Sequence, residues 1–149
     1  MKRKEKTMGV QIVLASHGSL AEGMQSAVKM IAGEYGNIHA FGLDTYQTPD
    51  AIDTEVEAII ENHKEDQFII LCDIKCGSVH NKLIRHCQKD NVVLISGINL
   101  VLVLSLVLVM KSELNREEVL NIVEESKENI MYFDKEIIFA ENSKEEELW

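Results

Sequence analysis

Aromatic side chains are scarce in this 149-residue chain, with four Phe, three Tyr and one Trp making 5%. A flat cofactor such as a flavin would find little to stack on. Neither a G-x-x-x-x-G-K-[ST] nor a G-x-G-x-x-G pattern occurs, so nucleotide binding has no direct support. Proline occurs once, at Pro49. The longest apolar stretch, Ile98 to Met110, is thirteen residues and includes Asn99 and Ser105. A membrane helix needs about eighteen or more, so this stretch reads as buried core. The cysteines are three, Cys72, Cys76 and Cys87. Residues 1–7 are basic, but the apolar stretch after them is too short for a signal peptide. An odd cysteine count without such a leader points to free thiols in a reducing cytoplasm. Positive charge is also in short supply: 15 Lys and Arg face 25 Asp and Glu, leaving −10. That balance argues against a nucleic-acid backbone or an anionic membrane as the main partner.

What is present is the composition of a soluble globular domain, 46% hydrophobic and 27% charged. The length suits one domain with its own core. Residues 1–7 carry +3 and residues 141–149 carry −3. Both read as solvated flexible tails of a single domain spanning 1–149.

Apolar runs and amphipathic stretches alternate along the chain. Val10 to Ala15, Ile38 to Leu43, Phe68 to Cys72 and Val92 to Ile95 read as strands, the third apolar throughout as a strand buried on both faces should be. Between them, Leu20, Met24, Ala27, Val28 and Ile31 recur at helical spacing and end near Gly33 or Gly36. Thr48-Pro49 is suited to the N-cap and first position of a helix carrying Ile52, Val56, Ile59 and Ile60. Ser78 to Lys89 reads as helix with Val79, Leu83, Ile84 and Cys87 inward. Asn99 to Met110 and Arg116 to Asn129 read as two more, and Ile130 to Phe139 as a final strand. Successive βα units imply an α/β fold: a doubly wound, mostly parallel sheet of four strands plus a C-terminal strand, with helices on both faces. That last strand lacks a βα partner and would leave an exposed apolar edge, which points to a homodimer.

In such a sheet ligands bind outside the carboxyl ends of the strands. Three polar segments fall there: Ser16-His17-Gly18-Ser19, Asp73 to Ser78, and Ser96-Gly97-Ile98-Asn99. Each leads into a helix start, where free N–H groups favour an anion. His17 stands out, because a carboxylate from Asp73 on its Nδ1–H would fix the tautomer and leave Nε2 as a nucleophile. Lys75 and Lys82 flank the Asp73 loop. His80 and His86, six apart, fall on different helical faces, and with Cys76 they match no zinc spacing, so no metal is expected. His39 and His63 read as surface residues, Cys72 and Cys87 as core.

Ile12 to Gly18 with the Ala-Glu-containing helix after it resembles the opening of the mannose-family enzyme IIA of the bacterial phosphoenolpyruvate:sugar phosphotransferase system. Leu71-Cys72-Asp73 with Gly77-Ser78, and then Gly97-Ile98-Asn99, resemble later elements of that family in order and spacing, across roughly residues 9–125. The resemblance implies a cytoplasmic phosphocarrier without a cofactor. His17 would take a phosphoryl group from phospho-HPr and pass it to a IIB protein or domain for sugar uptake. Asp73 would be the partner of His17, while Gly18, Ser19, Gly77, Ser78 and Asn99 would line the phosphate site. It also implies a dimer with an exchanged C-terminal strand, for which Ile130–Phe139 is the candidate, and membrane association only through a permease complex. Cys76 and Val79 depart from the family's usual Gly-Gly-Ser-Pro loop. The alternatives are a phosphorylation-dependent regulatory domain and a small-molecule-binding α/β domain, neither with onward transfer.

Overall fold

A computed structural model describes residues 9–110 and 113–147. Four strands, β1 (Val10–Ser16), β2 (Ile38–Gly42), β3 (Gln67–Cys72) and β4 (Val92–Ser96), form one parallel sheet in the order β2-β1-β3-β4. The expected α/β architecture is therefore present. Helix α1 (Leu20–Ala32) joins β1 to β2, and the short α2 (Leu43–Tyr46) and α3 (Pro49–Asn62) join β2 to β3. Helix α4 (Ser78–Leu83) runs into a 3₁₀ turn (Ile84–Gln88) before β4, which is followed by α5 (Leu100–Leu108), α6 (Arg116–Lys127) and α7 (Lys135–Glu147).

Alternate residues of each strand point to opposite faces, and both faces are covered. Val10, Ile12, Leu14, Ile69 and Leu71 pack with α1, α5 and α6 on one side. Val13, Ala15, Phe68, Ile70 and Cys72 pack with α3 and α4 on the other. The strands β1 and β3 are almost wholly buried, which is why they read as unbroken apolar runs.

Local chemistry sets the helix ends. The Thr48 hydroxyl accepts the Ala51 N–H at 3.1 Å, with Pro49 opening α3 as expected. Asn115 and Glu118 form a reciprocal capping box on α6. Gly33, at φ +92°, ends α1. On α1 the buried residues are Ala21 and Val28, whereas Leu20 and Ile31 are exposed, so the inward face is narrower than the apolar spacing suggested.

Two expectations are corrected in detail. The stretch from Ser78 tightens to a 3₁₀ turn at Ile84, so the inward residue after Leu83 falls three positions on, not four. His86 is consequently buried, while Cys87 and Ile84 face solvent. Second, no fifth strand forms among the described residues. Residues 130–134 have no regular structure, and the segment from Lys135 is helical, including residues 141–147 that had read as tail. Residues 1–7 lie outside the described part. No helix among the described residues is long and apolar enough to cross a membrane.

Candidate active site

Strand order reverses its direction of winding at β1: β2 lies on one side of it and β3 on the other. The crevice between the carboxyl ends of β1 and β3 is therefore the switch point where doubly wound sheets place ligands. Ala15 pairs with Cys72 in register, so the residues just beyond, His17 and Asp73, meet there. Adjacency in a parallel sheet is what makes two residues 56 apart in sequence one constellation.

Asp73 Oδ2 accepts both the backbone N–H of His17, at 2.9 Å, and the ring Nδ1, at 3.0 Å. Its other oxygen accepts the Ile74 N–H at 3.0 Å. With a carboxylate as acceptor, the ring proton belongs on Nδ1 and the lone pair on Nε2. The Asp73 side chain is only 7% exposed, whereas that of His17 is 44% exposed. The carboxylate is the buried support and the imidazole is the accessible group. On the far side of the ring, Ser78 Oγ lies 3.3 Å from Nε2 and can donate to it.

Glycines allow these approaches. A β-carbon at position 77 would sit 3.2 Å from His17 Cε1 and 3.3 Å from the Ile74 carbonyl oxygen, so Gly77 lets the loop close over the ring. Gly18 has φ +52°, a left-handed conformation that turns the chain from β1 into α1. The buried Ser16 hydroxyl accepts the Ala21 N–H at 2.7 Å. Ser19 makes no side-chain cap bond and is exposed beside His17.

Of the residues singled out in the sequence, His17, Asp73, Gly77 and Ser78 are brought together, with Gly18 and Ser19 adjoining. Asn99 is committed elsewhere: its Oδ1 accepts the Leu102 N–H at 2.8 Å, and its Nδ2 donates to the Ser126 carbonyl at 3.0 Å. Lys75 is exposed in the loop, and Lys82 pairs with Asp50 at 2.7 Å. Cys76 is exposed in the same loop with φ +61°. Burial, with the Asp73 carboxylate adding to it, pushes the Cys72 thiol up to about 12, which makes it inert. Among the described residues no group of three or more His, Cys, Asp or Glu is placed to hold a metal ion.

A second polar cluster escaped sequence reasoning. Asp53 of α3, largely buried, takes Arg85 Nε at 3.2 Å, Arg85 Nη2 at 2.7 Å and His86 Nε2 at 2.7 Å. Burial pushes its carboxyl up, but the bonds from Arg85 and His86 outweigh it and hold the group below its ordinary value. Burial lowers His86, against the opposing pull of Asp53. Surface pairs Asp50–Lys82, Glu57–Arg85 and Glu61–Lys89 extend the seam. The i+3 step from Leu83 to His86 was the only signal for it.

Fold and site together define a class: a doubly wound α/β protein presenting an exposed imidazole whose tautomer is set by a carboxylate on the neighbouring strand. Residues 11–124 match the EIIA-man family, described as the PTS system fructose IIA component. The chain belongs to this family, the mannose-type IIA components of the phosphotransferase system. It is 31% identical, over 102 residues, to the PTS system sorbose-specific EIIA component of Klebsiella pneumoniae, covering 66% of this chain and 73% of that one. A crystal structure of a Klebsiella pneumoniae protein taken to be a phosphoenolpyruvate-dependent sugar phosphotransferase system permease superposes with a TM-score of 0.74 at 30% identity, covering 91% of this chain and 99% of that one. The mannose/sorbose specific IIA subunit of Enterococcus faecalis shares the fold, with a TM-score of 0.71 at 18% identity over 85% of this chain and 96% of that one.

Proposed function

We propose that the chain is a phosphocarrier in which His17 Nε2 accepts a phosphoryl group from phospho-HPr and passes it to a IIB protein or domain. One observation carries this reading. Asp73 Oδ2 holds Nδ1 at 3.0 Å and so leaves the Nε2 lone pair on the exposed side of the ring.

In the accepting step, the lone pair of Nε2 forms a bond to phosphorus as the donor's bond to phosphorus breaks, its electron pair returning to the donor. Nδ1 keeps its proton throughout. The ring becomes cationic, and the Asp73 carboxylate balances that charge from the buried side. Ser78, bonded to Nε2 before transfer, is placed to donate to a phosphoryl oxygen afterwards, and Gly18, Ser19 and Gly77 supply backbone close to the same point. Onward transfer is the same sequence in reverse, with the acceptor's nucleophile in place of the donor.

The test is incubation of the full chain with phosphoenolpyruvate, enzyme I and HPr. One acid-labile, base-stable phosphoryl group per chain should map to His17, move on to a IIB acceptor, and be lost in His17→Ala although the fold persists. Label on His80 or His86 would overturn the assignment. Label that never leaves would favour a regulatory domain.

The same reading places the protein in the cytoplasm, where those partners are found, and makes it a homodimer. Two observations support the dimer. Among the described residues no strand pairs with the outer edge of β4, and beside it lies a groove of about 730 Å³ lined by Val93, Leu94, Ile95, Val119, Leu120 and Val123. Ile130–Phe139, meanwhile, leaves Ile130, Tyr132 and Phe139 more than 70% exposed.

A further inference from the structure

Glu22 is a partly buried carboxylate close to His17. It lies in the first turn of α1, five residues beyond His17, and reaches sideways to the end of β2. Its Oε1 accepts the Gly42 N–H at 2.8 Å. Its Oε2 is sealed from solvent and meets no hydrogen-bond donor among the described residues. A carboxylate at a helix N-terminus is favourable by itself. Burying one of its oxygens without a donor is not, and such a group calls for a reason.

Gly42 supplies that reason. A β-carbon at position 42 would overlap Glu22 Oε2 and the Gly18 carbonyl oxygen, and would stand 2.8 Å from Glu22 Oε1. The carboxylate and the residue after His17 thus converge on one point of backbone that only glycine can occupy. The Gly18 carbonyl also accepts the Asp44 N–H at 3.1 Å. His17 is therefore anchored from two sides, by Asp73 on the β3 side and by the β2–α2 junction on the other. Glu22 is the side chain that holds this junction in place.

We propose that Glu22 is a positioning residue for His17, its carboxylate clamping the Gly42 amide so that Gly18 stays fastened and Nε2 stays aimed outward. Without the clamp the Gly18 turn can relax while β1 and α1 remain. The ring then loses its single orientation against Asp73, and a larger share takes the Nε2–H tautomer, which cannot act as nucleophile. The Glu22→Gln side chain keeps an oxygen for the Gly42 N–H and removes the buried charge without changing the length of the clamp. It should restore most of the positioning.

The inference rests on the phosphocarrier reading only for its rate measurement, so two readouts are taken on the full chain. The first is the ¹⁵N spectrum of the His17 imidazole in the unphosphorylated protein, which reports the tautomer. The second is single-turnover transfer from phospho-HPr. Glu22→Ala should raise the Nε2–H share and slow transfer on the order of tenfold, as small misplacements of a reacting group do. Glu22→Gln should return both to near wild type, which a loss of general stability would not explain. Should Glu22→Ala fail to fold, Glu22→Asp, one methylene short of Gly42, is expected to show the same two shifts. An unchanged tautomer with transfer within about twofold of wild type, in whichever of these variants folds, overturns the proposal. A shifted tautomer in a protein that wild-type HPr never labels would leave the positioning role standing and remove the phosphocarrier reading instead.

Discussion

Asp73→Asn changes one atom of the site and reverses its hydrogen-bonding sense. The amide can turn an N–H toward Nδ1, where an acceptor is needed, and it cannot balance the imidazolium charge that the proposed phosphorylation of His17 would create. Losing the orienting aspartate of a serine protease costs about 10⁴-fold in kcat. Phosphoryl transfer between activated groups is intrinsically easier. The expected loss here is on the order of 10²-fold, or about 2.7 kcal/mol. Quenched-flow transfer from phospho-HPr to wild type and Asp73→Asn measures it, and an undiminished rate would show that the carboxylate is not the partner of His17. Lys75 is the exposed cation of the same loop in a chain of net charge −10. It is expected to draw in the phosphoryl group, so Lys75→Ala should slow transfer more than twofold. A smaller change would leave Lys75 a solvated side chain. His17 and Asp73 were legible in the sequence because each follows a strand, and neighbouring parallel strands bring such positions together. Ser78 entered through the family resemblance, but its contact with Nε2 depends on loop geometry and the anchor through Gly42 on a β-carbon that is missing, and neither is written in the residue pattern.

Elements were read well where one pattern ruled and poorly where two competed. The four strands and the Thr48-Pro49 start agree with the structure because an apolar run or a capping residue decides them locally. The stretch after Leu83 departs from regular helical spacing because its turn tightens, which moves His86 inward and Cys87 outward. This shift has a consequence for stability. His86 is fully buried with Asp53 on one nitrogen and, among the described residues, no partner on Nδ1. Arg85 and Lys89 also oppose its protonation. Its value in the fold lies below the ordinary 6.5, so the unfolded chain takes up the proton first. The stability it contributes is present above 6.5 and is lost as pH falls toward the lowered value. Asp53 acts in the same direction further down: its contribution is present above 3.8 and is lost as pH falls through its lowered value. Urea unfolding should therefore show lower stability at pH 5.5 than at 7.5. His86→Gln, which keeps a donor for Asp53 but does not titrate, should shrink that difference. An equal pH difference in the variant would exclude His86 as its source.

At the scale of the whole molecule, the question is what becomes of the apolar side chains from Ile130 to Phe139. Ile130, Met131, Tyr132, Phe133, Ile138 and Phe139 are all exposed, and residues 135–144 of α7 bury none of their side chains. A helix whose side chains from 135 to 144 are all exposed is marginal in water, so giving up its first turns costs little. β-branched and aromatic residues suit a strand as readily as a helix. That competition explains why the sequence points to a strand over Ile130–Phe139 whereas the single chain is irregular over residues 130–134 and helical from Lys135. The open edge of β4 offers unpaired backbone groups, and the groove beside it offers apolar surface. Burying a large apolar side chain contributes about 1.5–3 kcal/mol, so these six together are of the size needed to offset the roughly 1–2 kcal/mol per residue that ordering the segment costs, and backbone pairing with β4 adds to that. Full-length protein should therefore run in light scattering at twice the 16.9 kDa of one chain. A chain truncated after Asn129 should run as a monomer. Leu120→Glu, at a half-exposed position lining the groove, should weaken the dimer while leaving the monomer's circular dichroism unchanged. A truncated chain that stays a dimer as stable as the full-length one would show that the Ile130–Phe139 segment does not join the two copies.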